Sequence, residues 1–238
     1  MPQPGPMRRR LPLLIAALGA LAAPLCDARA CARAHVKLCG GSMGCWNPLA
    51  TRLKTAVIDE ECDGLLDLAR VGLKDWGCVA LGRALAENSR ITSVDLFQNG
   101  VGDDCAVAIA SAMAAPGNRI RKVNLGWNGV AARGVTALAK AIAGPGSRVE
   151  DLNLYGNHLG DTEAKILATG LGSGMCKITN IAVERNSIGN AGAMALARAI
   201  RNPNSKVKTI SFWNNEISEE VIDKLEGAVV LRKTKDEL

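Results

Sequence analysis

Leu152-Asn153-Leu154-Tyr155-Gly156-Asn157-His158-Leu159-Gly160-Asp161 alternates apolar and polar residues, then places an Asn and an apolar residue ahead of an Ala-rich stretch. Alternation with a period of two is the pattern of a strand with one buried face. The arrangement returns every 29 residues, in units beginning at Ile91, Ile120, Val149, Ile178 and Val207. The alternating cores are Val94-Asp95-Leu96, Val123-Asn124-Leu125, Ile181-Ala182-Val183 and Ile210-Ser211-Phe212, and a slightly shorter unit with Leu66-Asp67-Leu68 precedes them. Behind each strand, apolar residues fall at helical spacing, as in Val107, Ala110 and Met113 or Leu138, Ala141 and Ile142. One strand and one helix cannot bury their apolar faces alone, whereas stacked copies share a continuous core in which each unit contacts only its neighbours. The sequence therefore predicts an α/β solenoid, a horseshoe arc with parallel strands on the concave face and helices on the convex face. Six strands about 4.8 Å apart would give an inner face on the order of 25 Å long.

Asn99, Asn128, Asn157, Asn186 and Asn215 recur three residues after the last apolar residue of each strand. A carboxamide both donates and accepts, so a ladder of these side chains satisfying the backbone of adjacent turns is expected. The pattern Leu-x-x-Asn-x-Leu followed by a helix, at 28 to 29 residues, resembles the leucine-rich repeats of ribonuclease inhibitor and of the C-terminal domains of NOD-like receptors. The resemblance covers roughly residues 62 to 225 and implies a leucine-rich-repeat solenoid. It says far less about function, because the repeat is reused for many partners. The leading unit has Val71 where later units have Asn, and the last replaces the Ala-rich helix with Glu219-Glu220-Val221-Ile222-Asp223-Lys224-Leu225; deviation of this kind is expected of capping units. The predicted organisation is a signal peptide at 1–30, a Cys-rich cap at 31–61, six repeat units at 62–217, a capping helix at 218–234 and a terminal tetrapeptide at 235–238.

The first segment reads as an export signal: basic Arg8, Arg9 and Arg10, an apolar run from Leu11 to Leu25 broken by Pro12 and Pro24, then the small-x-small triplet Ala28-Arg29-Ala30. A membrane span needs about 20 apolar residues, more than this run supplies. No membrane span is expected in the mature chain. The sequence ends Lys235-Asp236-Glu237-Leu238, an address read by a retrieval receptor of the endoplasmic reticulum. Together they predict residence in the endoplasmic-reticulum lumen. Removing the signal, with its four Arg and Asp27, lowers the formal net charge from +6 to +3, which gives little support to nucleic-acid binding.

Seven cysteines follow the signal, and Cys31, Cys39, Cys45 and Cys62 crowd into the N-terminal segment as disulfide candidates. Their pairing cannot be read from sequence, and the odd total leaves one thiol over. No pair has the two-residue spacing of a zinc or thioredoxin-type site, so neither metal nor cofactor is expected. Cys105 and Cys176, inside repeats, read as buried small apolar residues. Gly40-Gly41-Ser42-Met43-Gly44 matches the Gly-x-Ser-x-Gly elbow, but it lies in a Cys- and Gly-rich loop and is followed by a single His, His158. A lumenal hydrolase using Ser42 is the least favoured reading, and no enzyme is expected.

Binding is the remaining class. Of seven aromatic residues, Phe97, Trp127, Tyr155 and Trp213 occupy the two variable positions just after the strand apolar pair. Large aromatics in a row are common at binding hot spots. Gly126 and Gly156 beside them suggest room left for the rings. The same face offers Asp95, Gln98, Lys122, Asp151, Glu184 and Arg185, a mixed set suited to a protein. Arg90, Arg119, Arg148, Lys177 and Lys206 close successive units; interaction with helix C-termini suffices to account for them, with an acidic partner as a secondary reading. The expectation is a non-catalytic interaction module or scaffold that binds a protein on its concave face. The alternative is an inhibitor or regulator of a lumenal or secreted enzyme, which the resemblance to ribonuclease inhibitor allows. The oligomeric state is left open.

Overall fold

The computed structural model describes residues 64–236 apart from residue 89, with side chains described to 229. The signal segment, the proposed cap with Cys31, Cys39, Cys45 and Cys62, the Ser42 motif and the final Glu237 and Leu238 lie outside the described residues. Six units alternate strand and helix: β1 Leu65–Asp67, α1 Lys74–Ala86, β2 Ser93–Asp95, α2 Asp103–Ala114, β3 Lys122–Asn124, α3 Ala132–Ile142. They continue with β4 Asp151–Asn153, α4 Asp161–Leu171, β5 Asn180–Ala182, α5 Asn190–Arg201, β6 Thr209–Ser211 and α6 Glu219–Asp236. The strands form one open parallel sheet in the order β1-β2-β3-β4-β5-β6. Leu66, Val94, Val123, Leu152, Ile181 and Ile210 lie in register across it, so the 28- and 29-residue spacings are the sheet register itself. The chain is an α/β solenoid. No helix among the described residues is long and apolar enough to cross a membrane.

The core lies between sheet and helices and runs without interruption from Leu66 to Ala228. Leu, Ile and Val fill most of it, and small residues stand where neighbouring helices approach closely. A Cβ added to Gly134 would sit 2.7 Å from the Ala106 Cβ, and one added to Gly192 would sit 2.8 Å from the Ala164 Cβ. Helices could not follow the strand spacing with larger residues at those points.

Each Asn of the ladder serves the preceding unit. Asn128 Oδ1 accepts from the Asn99 N–H (3.0 Å) and the Val101 N–H (3.2 Å), while its Nδ2 donates to the Leu96 carbonyl (2.9 Å) and to its own unit's Leu125 carbonyl (3.0 Å). Asn99, Asn157, Asn186 and Asn215 repeat the scheme, donating to Leu68, Leu125, Leu154 and Val183. Asn99, Asn128, Asn157 and Asn186 are buried, and the backbone groups they meet would otherwise have no partner. A second column works at the other end of the strands: Asn118 Oδ1 accepts from Ile120 (3.2 Å), Ser147 Oγ from Val149 and Ser205 Oγ from Val207 (3.4 Å each). Cys176 occupies this column, fully buried, with the Ile178 backbone bonded to its sulfur. Burial pushes its thiol above the ordinary value, so it stays protonated and inert.

The reading of Cys105 as a plain buried residue is overturned: it is bonded to Cys78, tying α2 to α1 with Cα atoms 5.0 Å apart. Two thiols 27 residues apart in sequence meet because the 28-residue first repeat puts them at almost the same register. Cys176 is the free thiol among the described residues.

A third column caps the helices from one unit to the next. Asp75 Oδ1 accepts from Gly102 N (2.6 Å), Asp103 Oδ1 from Ala131 N (2.8 Å), Asp161 Oδ1 from Gly189 N (2.9 Å) and Asn190 Oδ1 from Ser218 N (2.8 Å). Each satisfies an orphan donor at a helix start. The third unit has Ala132 at this position and cannot do so. There the fourth unit caps itself, with Glu163 Oε2 accepting from Gly160 N at 2.9 Å. Glu163→Ala should therefore lower stability by about 1 kcal/mol in denaturant titration, and adding Ala132→Asp to that variant should restore most of the loss.

Candidate functional site

The sheet pairing does not stop where the strands formally end. Arg70 N donates to Phe97 O (2.8 Å), Gln98 N to Gly126 O (2.9 Å), Trp127 N to Tyr155 O (2.6 Å), Gly156 N to Glu184 O (2.9 Å) and Arg185 N to Trp213 O (2.9 Å). Two columns are thereby held in register along one rim of the sheet. The first is Ala69, Phe97, Gly126, Tyr155, Glu184 and Trp213; the second is Arg70, Gln98, Trp127, Gly156, Arg185 and Asn214. The second column is left-handed throughout, with φ of 59° at Arg70, 54° at Gln98, 52° at Trp127, 64° at Gly156, 48° at Arg185 and 57° at Asn214. That conformation favours Gly and Asn, and costs other residues about 1 kcal/mol or more each.

The last strand residue shapes the turn. Asp95 Oδ1 accepts from Phe97 N (2.9 Å), Asn124 Oδ1 from Gly126 N (3.0 Å) and Asn153 Oδ1 from Tyr155 N (2.9 Å). Asp95 also receives the Asn124 carboxamide at 3.2 Å. Its carboxylate is thus committed to the turn and to the next repeat. Lys122 and Asp151 pair with each other across the open sheet face at 3.3 Å, and Asn180 donates to Asp151. This face forms a shallow concavity of about 300 Å³ whose lining includes Asp95, Lys122, Asn124, Asp151 and Asn180. Gln98 and Arg185 are exposed and Glu184 is half-buried.

The aromatics form three clusters rather than one strip. The Arg70 guanidinium lies over the Phe97 ring, 5.4 Å from its centroid, and a Cβ on Gly126 would come within 3.1 Å of that ring. Trp127 meets Tyr155 edge to face at 5.9 Å, over Gly156, where a Cβ would stand 3.3 Å from the indole. Trp213 stacks on Phe212 at 5.2 Å. Glu184 separates Tyr155 from Trp213 in their column. Trp127 is 45% and Trp213 55% exposed, whereas Phe97 and Tyr155 are half-buried. The glycines do leave room for rings, each for the ring of the preceding unit. Sequence reasoning missed Arg70, whose partnership with Phe97 needs the leading unit aligned at a 28-residue offset; that offset places Arg70 beneath Gln98. Phe212 fills, as its place in the alternating pattern implies, the core column held elsewhere by Leu or Val; what sequence reasoning missed is its stacking on Trp213.

His158 is exposed on its turn. Among the described residues no group of three or more His, Cys, Asp or Glu is placed to hold a metal. The family model for the leucine-rich repeat matches residues 87–110, 120–139 and 174–197. Each stretch begins ahead of a strand and runs into the following helix, and the fourth unit, which lies between matched ones, has the same geometry. The matches and the sheet together support a leucine-rich-repeat protein, a class whose repeats suggest protein interaction. The chain has no match among curated proteins.

Because Gly156 combines a left-handed backbone with contact against the indole, Gly156→Ala should cost about 1 kcal/mol. It should also change the tryptophan fluorescence, and that change should vanish when Trp127 is replaced by Phe.

Proposed function

We propose that the chain is a non-catalytic interaction module of the endoplasmic-reticulum lumen that takes a protein partner along the rim bearing Trp127, Tyr155 and Trp213. The observation that carries this reading is Trp127. A large aromatic sits in a left-handed backbone position, 45% exposed, over a glycine kept free of a side chain. Stability does not call for that choice, since Gly or Asn would be less strained there. Pre-positioned aromatics with exposed faces are the usual anchors of a binding surface. Glu184 and Arg185 beside them supply opposite charges for orientation. Lumenal residence is supported by the N-terminal apolar run after Arg8-Arg9-Arg10, by the terminal Lys235-Asp236-Glu237-Leu238, and by the Cys78–Cys105 bond, which suits an oxidising compartment.

Crosslinking in the intact organelle, followed by affinity measurement with the protein so captured, tests the surface. Replacing Trp127, Tyr155 and Trp213 together by Ala should weaken binding by at least about thirtyfold, the loss of one hot-spot residue or more, with the circular-dichroism spectrum of the folded chain retained. Retained affinity in that variant removes the rim from the reading. The location has its own measurement: deletion of residues 235–238 should move the protein from cell extract to medium, and retention of the truncated chain would overturn the lumenal assignment.

A further inference from the structure

The opposite rim, where the chain enters the strands, has a different character. Arg119, Arg148, Lys177 and Lys206 stand one residue ahead of the buried column Ile120, Val149, Ile178 and Val207, and all four are exposed. Their spacing is fixed by backbone bonds from unit to unit. Arg121 N and Lys122 N donate to Thr92 O, Glu150 N and Asp151 N to Arg121 O, Thr179 N and Asn180 N to Glu150 O, and Lys208 N and Thr209 N to Thr179 O. None of the four forms an ion pair among the described residues; the one acidic neighbour in the next column, Glu150, is paired with Arg121. Lys208 adds a further exposed cation.

Helix dipoles do not absorb this charge. The C-terminus of a helix carries about half a negative charge, and α1, α3 and α5 already have Arg83, Lys140, and Arg198 with Arg201 in their last turns. Among α1 to α5, α2 and α4 lack a basic residue there. Two half-charges cannot account for four aligned cations.

We propose that this basic rim is a second docking surface, separate from the aromatic one, and that it receives a helical polypeptide segment with a stripe of carboxylates. The strand spacing of about 4.8 Å, carried by the backbone bonds above, places the backbone positions of the first and fourth cations about 14 Å apart. Carboxylates at positions i, i+3, i+7 and i+10 of a helix span about 15 Å at 1.5 Å per residue. An extended strand presents alternate side chains about 6.7 Å apart and drifts out of register by about 6 Å over the same four cations. A bilayer responds to the number of charges, with little regard to their order; a helix requires their spacing.

The test uses the purified protein, its Arg119→Gln/Arg148→Gln/Lys177→Gln/Lys206→Gln variant, and two labelled peptides of identical composition. One peptide is helical with Glu at the stated spacing; in the other the same residues are shuffled so that the stripe is lost. Fluorescence anisotropy at low salt should show the striped peptide bound, and weakened about thirtyfold by the fourfold variant, a factor of slightly over two for each surface pair. Binding should fall with salt and survive replacement of Trp127, Tyr155 and Trp213 by Ala, which separates this surface from the aromatic rim. A variant with Lys177→Arg and Lys206→Arg should bind like the original. Equal binding of the shuffled peptide, or unchanged binding to the fourfold variant with an intact circular-dichroism melt, overturns the proposal. So does capture by anionic phosphatidylserine vesicles without capture of the striped peptide, or salt-sensitive self-association that the striped peptide fails to compete away.

Discussion

Asn99, Asn128, Asn157, Asn186 and Asn215 stand where the chain leaves the sheet, and each reaches into the preceding unit to hold backbone groups that have turned away from their strand partners. A parallel strand of three residues satisfies few of its own hydrogen bonds, and the backbone groups that the Asn side chains meet behind it are buried. Without a side chain that donates and accepts at once, those amides and carbonyls would be desolvated for nothing, at about 1–3 kcal/mol each. The continuous core, the rims and the register of every exposed residue depend on this column. Because each carboxamide acts on its neighbour, order passes along the stack one unit at a time.

That dependence also explains what could be read from the sequence. The 29-residue spacing that puts Val94, Val123, Leu152, Ile181 and Ile210 in one register is written as plain apolar residues. The Asn column is visible because one residue type has the required two-way hydrogen bonding. The polar column at the strand entrance is less visible, because Asn118, Ser147, Cys176 and Ser205 accept the same N–H with three different groups. Cys176 passed for an apolar residue there. The pairing of Cys78 with Cys105 escaped notice for another reason: their separation of 27 residues matches neither the 28- nor the 29-residue spacing of the strands.

The rims show a similar division. Sequence placed the aromatics after the strands and the cations before them, and both columns are where the period puts them. It could not show that Asp95 is committed to its turn, or that Lys122 and Asp151 answer each other. Nor could it show that the rings form three clusters. Those facts depend on side-chain reach across a repeat boundary, which a linear pattern does not encode.

One boundary differs from the rest. Between the third and fourth units the helix-capping bond from the preceding unit is missing at Ala132, and Glu163 replaces it only within its own unit. Ion pairs, Arg121 with Glu150 and Lys122 with Asp151, bridge that junction instead. Exposed pairs weaken as salt rises, whereas capping bonds to backbone amides are far less sensitive. Raised ionic strength therefore weakens the ion pairs of this seam while leaving the capping bonds of the others in place. Trp127 and Tyr155 face each other across that same seam, so a ligand gripping both rings would clamp the third unit to the fourth.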